Sequence, residues 1–380
     1  MFKKTNFFKT NLRLLRIIIL IIVTLFSILL TILLCNLVLR FLKYENLYSF
    51  YDFATNGKSE VYTIDKDLIY RFKNDQLYRN YKALPNSTNA NEKTIAMVGD
   101  SVTWSYGAND STSYPITFEK IYNQQHNQNK ISVYNYGVPG YGIDQEYILI
   151  QNKIRKELKP DLLVWNINVN DIRDSNYMCL YHYQNSQWQR ISATYNIGYW
   201  YGWLGANIPP SITNSNLFNF VWQRLFRLIT STTNESLYTL GCSTIFRNPS
   251  TNKLIAKRLL YSVVELQKQL ENTQTQLIVT LVPYQKYFDH QFSLKDLDPD
   301  YSLVKNTLNN AGINFIDFNE TILNQLQSKT NSPQLNFSQE YFLNNSIDRN
   351  PDGLRHPNQK MYDLMAQTLF EYLQENQLTL

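Results

Sequence analysis

With 380 residues, 44% of them hydrophobic and 18% charged, the chain is long enough to bury a sizeable core in one large domain or two modest ones. An aromatic content of 14%, with 12 Gly, 12 Pro and 3 Cys, excludes collagen-like, disordered and disulfide-dense classes. The formal charge of +5 is unevenly placed: residues 1–43 hold seven bases (Lys3, Lys4, Lys9, Arg13, Arg16, Arg40, Lys43) and no acid, which leaves 29 of the 36 bases against 31 acids in the rest. The basic balance therefore belongs to the N-terminal segment and does not point to a nucleic-acid partner.

Ile17 to Leu39 reads IIILIIVTLFSILLTILLCNLVL, 23 residues with no charge. A helix of that length rises far enough to cross a hydrocarbon core of ~30 Å. A cleaved secretory signal has a shorter apolar region, usually ~7–15 residues followed by a small-residue cleavage site, whereas this run continues into LRFLKYENLY. A lipoprotein signal is excluded because Leu34 precedes Cys35. The expectation is an uncleaved single-pass anchor: a cytoplasmic basic tail at 1–16, a transmembrane helix at 17–39, and a stalk and edge segment at 40–92. Five bases before the span against two just after it place the N-terminus in the cytoplasm and the bulk of the chain outside it, in the periplasm if the cell has an outer membrane. Cys35 falls within the span. Cys179 and Cys242 lie in the exported part, where a disulfide and two buried free thiols both remain open.

VYTIDKDLIYRF (61–72) is β-prone, and ALPNSTNANEK (83–93) has turn chemistry. From there strands and helices alternate. TIAMVGDS (94–101) is a short apolar run ending in a turn, 115–127 reads as a helix with Pro115 in its first turn, and ISVYNYG (131–137) is a second strand. Asp144 is placed to cap the helix DQEYILIQNKIRKEL, which Lys159-Pro160 closes, and LLVWNINVN (162–170) is a third strand apolar enough for a sheet covered on both faces. Residues 172–250 lose the alternation and read as an aromatic-rich insertion containing one amphipathic piece, LFNFVWQRLFRLI (217–229). It resumes with a helix at 252–272, strand QLIVTLVPY (276–284), a helix at about 299–310, strand INFIDF (313–318) and a last helix from Pro357 with an apolar stripe of Met361, Leu364, Met365, Leu369 and Tyr372. Five strands alternating with helices predict an α/β fold with a parallel, doubly wound sheet over residues 93–380.

In such sheets ligands sit at the C-terminal ends of the strands. Those ends carry Gly99-Asp100-Ser101, Gly137-Val138-Pro139-Gly140 and Asn168-Val169-Asn170-Asp171, while Asp352-Gly353-Leu354-Arg355-His356 precedes the last helix. Five of the twelve glycines fall between 99 and 142, which suggests exposed backbone at a site. A serine at a strand-to-helix turn becomes a nucleophile only when a base takes its proton. Of the four histidines (His126, His182, His290, His356), His356 alone has a nearby carboxylate, a turn glycine and a helix start around it. Gly140 can offer a backbone N–H, and Asn170 a side-chain N–H, to an oxyanion. Each feature taken singly is a common turn, loop start or cap; their conjunction at four successive element ends carries the reading.

These blocks resemble the SGNH/GDSL hydrolase family, in its membrane-anchored bacterial form. VGDSVTWSYG, YNYGVPGYGIDQEY, NVND and DGLRHPNQKMYDLMA are similar to its four blocks and supply Ser101, Gly140, Asn170 and His356 in the family's order, over roughly residues 94–172 and 350–375. Two positions depart: Asn168 stands where the third block usually has glycine, and Gly353 stands where the family's Asp precedes the His by three, with Asp352 four before. Either the loop bulges and Asp352 serves as the triad acid, or the site is a Ser–His dyad and Asp352 caps the last helix. The resemblance implies a flavodoxin-like α/β/α sandwich and a serine esterase or acyltransferase without cofactor or metal, with Ser101 attacking, His356 as base, Asp352 as acid, and an oxyanion held by Ser101 N–H, Gly140 N–H and Asn170. The extracytoplasmic setting points to acyl esters of cell-envelope glycans or lipids. The aromatic insertion reads equally as a sugar-stacking wall and as core filling. A non-catalytic envelope protein that binds glycan or an assembly partner on the same fold is the alternative, and the joint presence of nucleophile and base argues against it.

Overall fold

A computed structural model describes residues 3–41, 62–72, 79, 92–126, 129–178, 180–184, 187–190, 192, 207–209, 212, 215, 217–218, 220–221, 249–289, 299–330, 337–344 and 355–378. Lys3–Phe41 form one helix, α1, within which Arg16–Leu39 is long and apolar enough to cross a membrane. The β-prone segment 61–72 folds as a hairpin, β1 (Tyr62–Asp65) with β2 (Ile69–Phe72), separate in its hydrogen bonding from the main sheet. Asp65 Oδ1 accepts from the N–H groups of Asp67 and Leu68, which closes the turn. Ile69 then adopts φ 70°, a conformation costing a β-branched residue on the order of 1–3 kcal/mol. The docking around it offsets that strain: Gln145 Nε2–H donates to Leu68 O at 2.6 Å and Tyr141 Oη–H to Tyr70 O at 2.7 Å.

The main sheet has five parallel strands: β3 (Lys93–Gly99), β4 (Ile131–Gly137), β5 (Leu162–Ile167), β8 (Gln276–Leu281) and β9 (Phe315–Asp317), in the spatial order β4-β3-β5-β8-β9. A short antiparallel pair, β6 (Tyr181–Gln184) with β7 (Gln187–Arg190), lies between β5 and β8 in the chain. The period-two pleat explains the apolar runs: Ala96, Val98, Leu163 and Trp165 face one core, Ile95, Met97, Leu162 and Val164 the other, and all are buried. On the first face lie α4 (Ile143–Leu149, running on into a π-helical stretch Ile150–Leu158), α6 (Pro249–Leu270) and α7 (Pro299–Asn310). On the second lie α3 (Tyr114–Gln125), α8 (Phe318–Thr330) and α10 (Gln359–Glu375). In sheet numbering this is the order 2-1-3-4-5 of a flavodoxin-like α/β/α sandwich. The connections leave β3 in one direction and return past it to β5, so a crevice opens at the C-terminal ends of β3 and β5.

Three local expectations are corrected. Asp144 does not cap α4; Gly142 holds that position, and Asp144 lies in the first turn, fully buried, with Oδ1 3.2 Å from Arg258 Nε. The guanidinium also lies 3.6 Å from the ring centre of Tyr181. The last helix begins at Gln359 rather than Pro357, because Asn358 accepts from Lys360 N–H and Met361 N–H. β8 stops at Leu281, before Pro283, and α8 adds a helix that the sequence pattern did not separate from the strand before it.

Glu146, also in α4 and fully buried, accepts from Trp165 Nε1–H at 2.8 Å. Burial pushes its carboxyl well above the ordinary range; the Trp165 bond pulls it down, and the Asp100 and Asp174 charges push it up again. The folded chain therefore holds a proton that the unfolded chain releases above about pH 4.3. Stability from that proton is full in acid and is lost as pH rises toward the folded value. Glu146→Gln keeps an acceptor for Trp165 and removes the ionisation. Urea unfolding in detergent should show wild type losing stability relative to the variant as pH rises from about 5 to 8; parallel profiles would contradict the shift.

Candidate active site

β3 ends at Gly99, and Asp100 N-caps the short helix α2 (Ser101–Trp104), its Oδ1 accepting from Val102 N–H at 2.9 Å. The cap stops the chain turning away and leaves Ser101 at the first helical position, 8% exposed. Ser101 Oγ lies 2.8 Å from His356 Nε2, across 255 residues of sequence, and 3.2 Å from Asp100 Oδ2. The hydroxyl has one proton and two acceptors within reach, and the imidazole is the nearer. His356 is held on both sides in the chain. Its carbonyl accepts from Leu343 N–H at 2.9 Å, Pro357 bridges to Phe342, and Arg355 N–H donates to Gln285 Oε1. The Tyr106 ring lies 4.6 Å from the imidazole centre, tilted 31°, while Tyr106 N–H donates to Ser101 O and its carbonyl accepts from Tyr362 Oη–H. One tyrosine thus touches both the Ser101 backbone and the His356 ring.

Val138 to Tyr141 form a turn with Tyr141 N–H donating to Val138 O at 3.0 Å, Pro139 second and Gly140 third with φ 79°. That is the pattern of a type II turn, whose third position needs positive φ and therefore glycine. The turn is fixed to β3 by Val138 N–H donating to Gly99 O, and to the hairpin by Tyr70 Oη–H donating to Pro139 O at 2.9 Å. Just before it, a Cβ on Gly137 would meet Trp104 N at 2.2 Å, so β4 and α2 approach closely only because residue 137 has no side chain.

At the end of β5, Asn168 Nδ2–H donates to Asp100 Oδ2 at 2.9 Å and Asn168 N–H to Asp171 Oδ2 at 2.6 Å. Asn170 Nδ2–H donates to Asp174 Oδ2 at 3.0 Å. An amide nitrogen carries two hydrogens, so one bond to the buried Asp174 fixes its plane and leaves the second N–H for a ligand. Asp100, Glu146, Asp171 and Asp174 make this region rich in buried carboxylates. Asp171 is pushed well above the ordinary range by burial and then by the charges of Glu146 and Asp100.

The structure brings Ser101 and His356 into contact, and sets Gly140 and Asn170 at the ends of the strands on either side of β3. Asp352, the expected acid, lies outside the described residues, as do Cys179, Cys242 and His290. His126 stacks on Tyr122 with ring centres 4.3 Å apart, and His182 lies in β6. Among the described residues no group of three or more His, Cys, Asp or Glu could hold a metal ion. Sequence reasoning missed Tyr106, Tyr70 and the positioning bonds of Asp100, Asn168 and Asp174. The Gly-Asp-Ser turn signalled the cap at Asp100, but the tyrosines act through contacts that leave no local pattern.

No family model and no curated protein sequence matches this chain. Among solved structures it is similar to a G-D-S-L family lipolytic protein from Desulfitobacterium hafniense DCB-2, at 12% identity and a TM-score of 0.34, over 72% of this chain and 96% of that one. It is similar to a G-D-S-L family member from Veillonella parvula DSM 2008, at 14% identity and a TM-score of 0.37, over 74% and 97%. A third is the acetyl xylan esterase AlAXEase, at 11% identity and a TM-score of 0.40, over 74% and 99%. Two of these three are described as proteins of the G-D-S-L family and the third as an acetyl xylan esterase.

Proposed function

We propose that the chain is a membrane-anchored, extracytoplasmic serine ester hydrolase or acyltransferase acting on acyl esters of cell-envelope glycans or lipids. The observation that carries this reading is the 2.8 Å contact between Ser101 Oγ and His356 Nε2, within the range a general base needs. Ser101 Oγ attacks the ester carbonyl carbon while its proton passes to His356 Nε2. The tetrahedral oxyanion takes hydrogen bonds from Ser101 N–H, Gly140 N–H and the second Nδ2–H of Asn170. Collapse breaks the bond to the leaving alkoxide, which takes the proton from His356, and leaves an acyl group on Ser101. Water completes hydrolysis, or a second hydroxyl completes transfer, by the same steps in reverse. Asp352 would fix the imidazole tautomer by accepting from Nδ1–H. The placement outside the cytoplasm rests on the charge bias around the apolar helix, and the envelope substrate rests on that placement.

Ser101→Ala should lower ester hydrolysis by ~10⁴–10⁶ without loss of folding and should abolish labelling by a fluorophosphonate probe. A wild-type chain that the probe does not label would instead favour the non-catalytic reading. Asn170→Ala should cost ~10²–10³ in kcat with little change in KM; the reverse split would make Asn170 a substrate-binding residue. Asp352→Asn should cost up to ~10⁴ in kcat if the acid is in place, and activity close to wild type would leave a dyad.

A further inference from the structure

We propose that Tyr70 is a positioning residue for Gly140: its hydroxyl locks the Pro139–Gly140 peptide in the orientation that presents Gly140 N–H as a donor. The inference rests on the ester-hydrolase reading above, and it makes the hairpin of β1 and β2 part of the catalytic apparatus. Types I and II of a four-residue turn differ mainly by a flip of the central peptide, which carries φ of the third residue from about −90° to about +80°. Here the central peptide is Pro139–Gly140, and Gly140 is the third residue with φ 79°. Proline in second place suits both types, and glycine takes either sign of φ readily. The closing bond from Tyr141 N–H to Val138 O is common to both. The glycine that allows the donating orientation therefore also allows its loss.

The selection comes from outside the turn. In a trans peptide the N–H points away from the C=O, so a donor on Pro139 O fixes the side toward which Gly140 N–H points. Tyr70 Oη–H is that donor, at 2.9 Å. Tyr141 answers it from the turn, its hydroxyl donating to Tyr70 O at 2.7 Å and its ring lying edge-on to that of Tyr70 at 5.2 Å. Hydroxyl bonds thus cross in both directions between hairpin and turn, one on each side of Gly140, from two buried side chains. A flip would take Pro139 O away from Tyr70 and point Gly140 N–H at the hairpin instead. Gly140 is itself buried, and among the described residues no acceptor takes its N–H, so the donor is not spent within the fold. The bond from Tyr70 also draws electron density along the amide toward Pro139 O, which strengthens Gly140 N–H as a donor.

The test is a double-mutant cycle on the full chain in detergent, with p-nitrophenyl acetate as substrate. Tyr70→Phe keeps the ring edge-on to Tyr62 and Tyr141 and removes only the hydroxyl. Its kcat should fall about tenfold to a hundredfold, short of the ~10²–10³ that outright loss of an oxyanion donor costs, with little change in KM. In an Asn170→Ala background the same change should cost its full factor. In a Gly140→Ala background, where positive φ is already disfavoured, it should cost less than about threefold. An equal cost in all three backgrounds would overturn the proposal. So would a lowered urea midpoint with kcat per folded chain unchanged, since that is support of the fold alone. Should Gly140→Ala fail to fold, the split in Tyr70→Phe decides by itself, and a raised KM at unchanged kcat overturns the role. A wild-type chain that neither hydrolyses the ester nor takes a fluorophosphonate label would remove the hydrolase reading and this role with it. An active wild type matched by an equally active Tyr70→Phe would remove this role alone.

Discussion

A hydroxyl and an imidazole 255 residues apart must meet at 2.8 Å, and much of the domain can be read as the means of holding them there. Neither side chain sits on a long regular element. Ser101 starts a four-residue helix, and His356 lies in the extended segment before α10. Each is therefore fixed from outside: Ser101 by the end of β3 and the Asp100 cap, His356 by the bridge to Phe342 and by Tyr106. Arg79 adds a third restraint. It is buried, donates to the carbonyls of Trp104, Ser105 and Ala108 and to Asp110, and pairs through its own backbone with Asn135. Asp110 is well exposed, so the ion pair alone contributes little. The three carbonyl bonds, each ~0.5–1.5 kcal/mol and more for a charged donor, hold the loop after Ser101 against the sheet edge.

The same economy governs the turn at Gly140, the second donor in the proposed mechanism. Gly140 lies in a two-sided clamp, with β4 behind it and the hairpin of residues 62–72 in front, tied by Tyr70 and Tyr141. A stretch that looks like a spacer between membrane and domain is thus packed into the first core and reaches the proposed oxyanion turn. The strain at Ile69 is intelligible in this light: bonds from Gln145 and Tyr141 hold the flanking carbonyls where they orient the hairpin, and an unstrained turn would move them.

How much of this was legible in the sequence follows from the range of each interaction. The five strands were readable because a sheet covered on both faces demands uninterrupted apolar runs such as TIAMVG and LLVWNI. Ser101 and His356 were readable because each sits in a local turn with its own chemistry. Asp144 was misread because an acid before an apolar periodic run has the pattern of a cap; its actual partner, Arg258, lies 114 positions away, where no local rule reaches. The last helix was read as starting at Pro357, and Asn358, one of the favoured N-cap residues, went unrecognised as its cap. Arg79, Tyr70 and Tyr106 act across long loops, and such contacts have no period to detect. Asn168 stood out only as a departure, and the structure gives the departure a use, since a glycine could not donate to Asp100.

The buried acids bear on why the site lies where it does. Four carboxylates within one region would repel an oxyanion if all were charged, yet three of them position donors: Asp100 caps α2 and takes Asn168, Asp171 takes the N–H of Asn168, and Asp174 orients Asn170. Replacing them by amides would keep acceptors but add N–H groups needing partners in a dry interior, at ~1–3 kcal/mol for each left unpaired. Raising the proton affinity of Glu146 and Asp171 by burial resolves the conflict without new atoms. In the proposed acyl transfer an ester is neutral before attack and anionic only at the tetrahedral stage, so burial that raises the proton affinity of Glu146 and Asp171 weakens the repulsion such an oxyanion would meet.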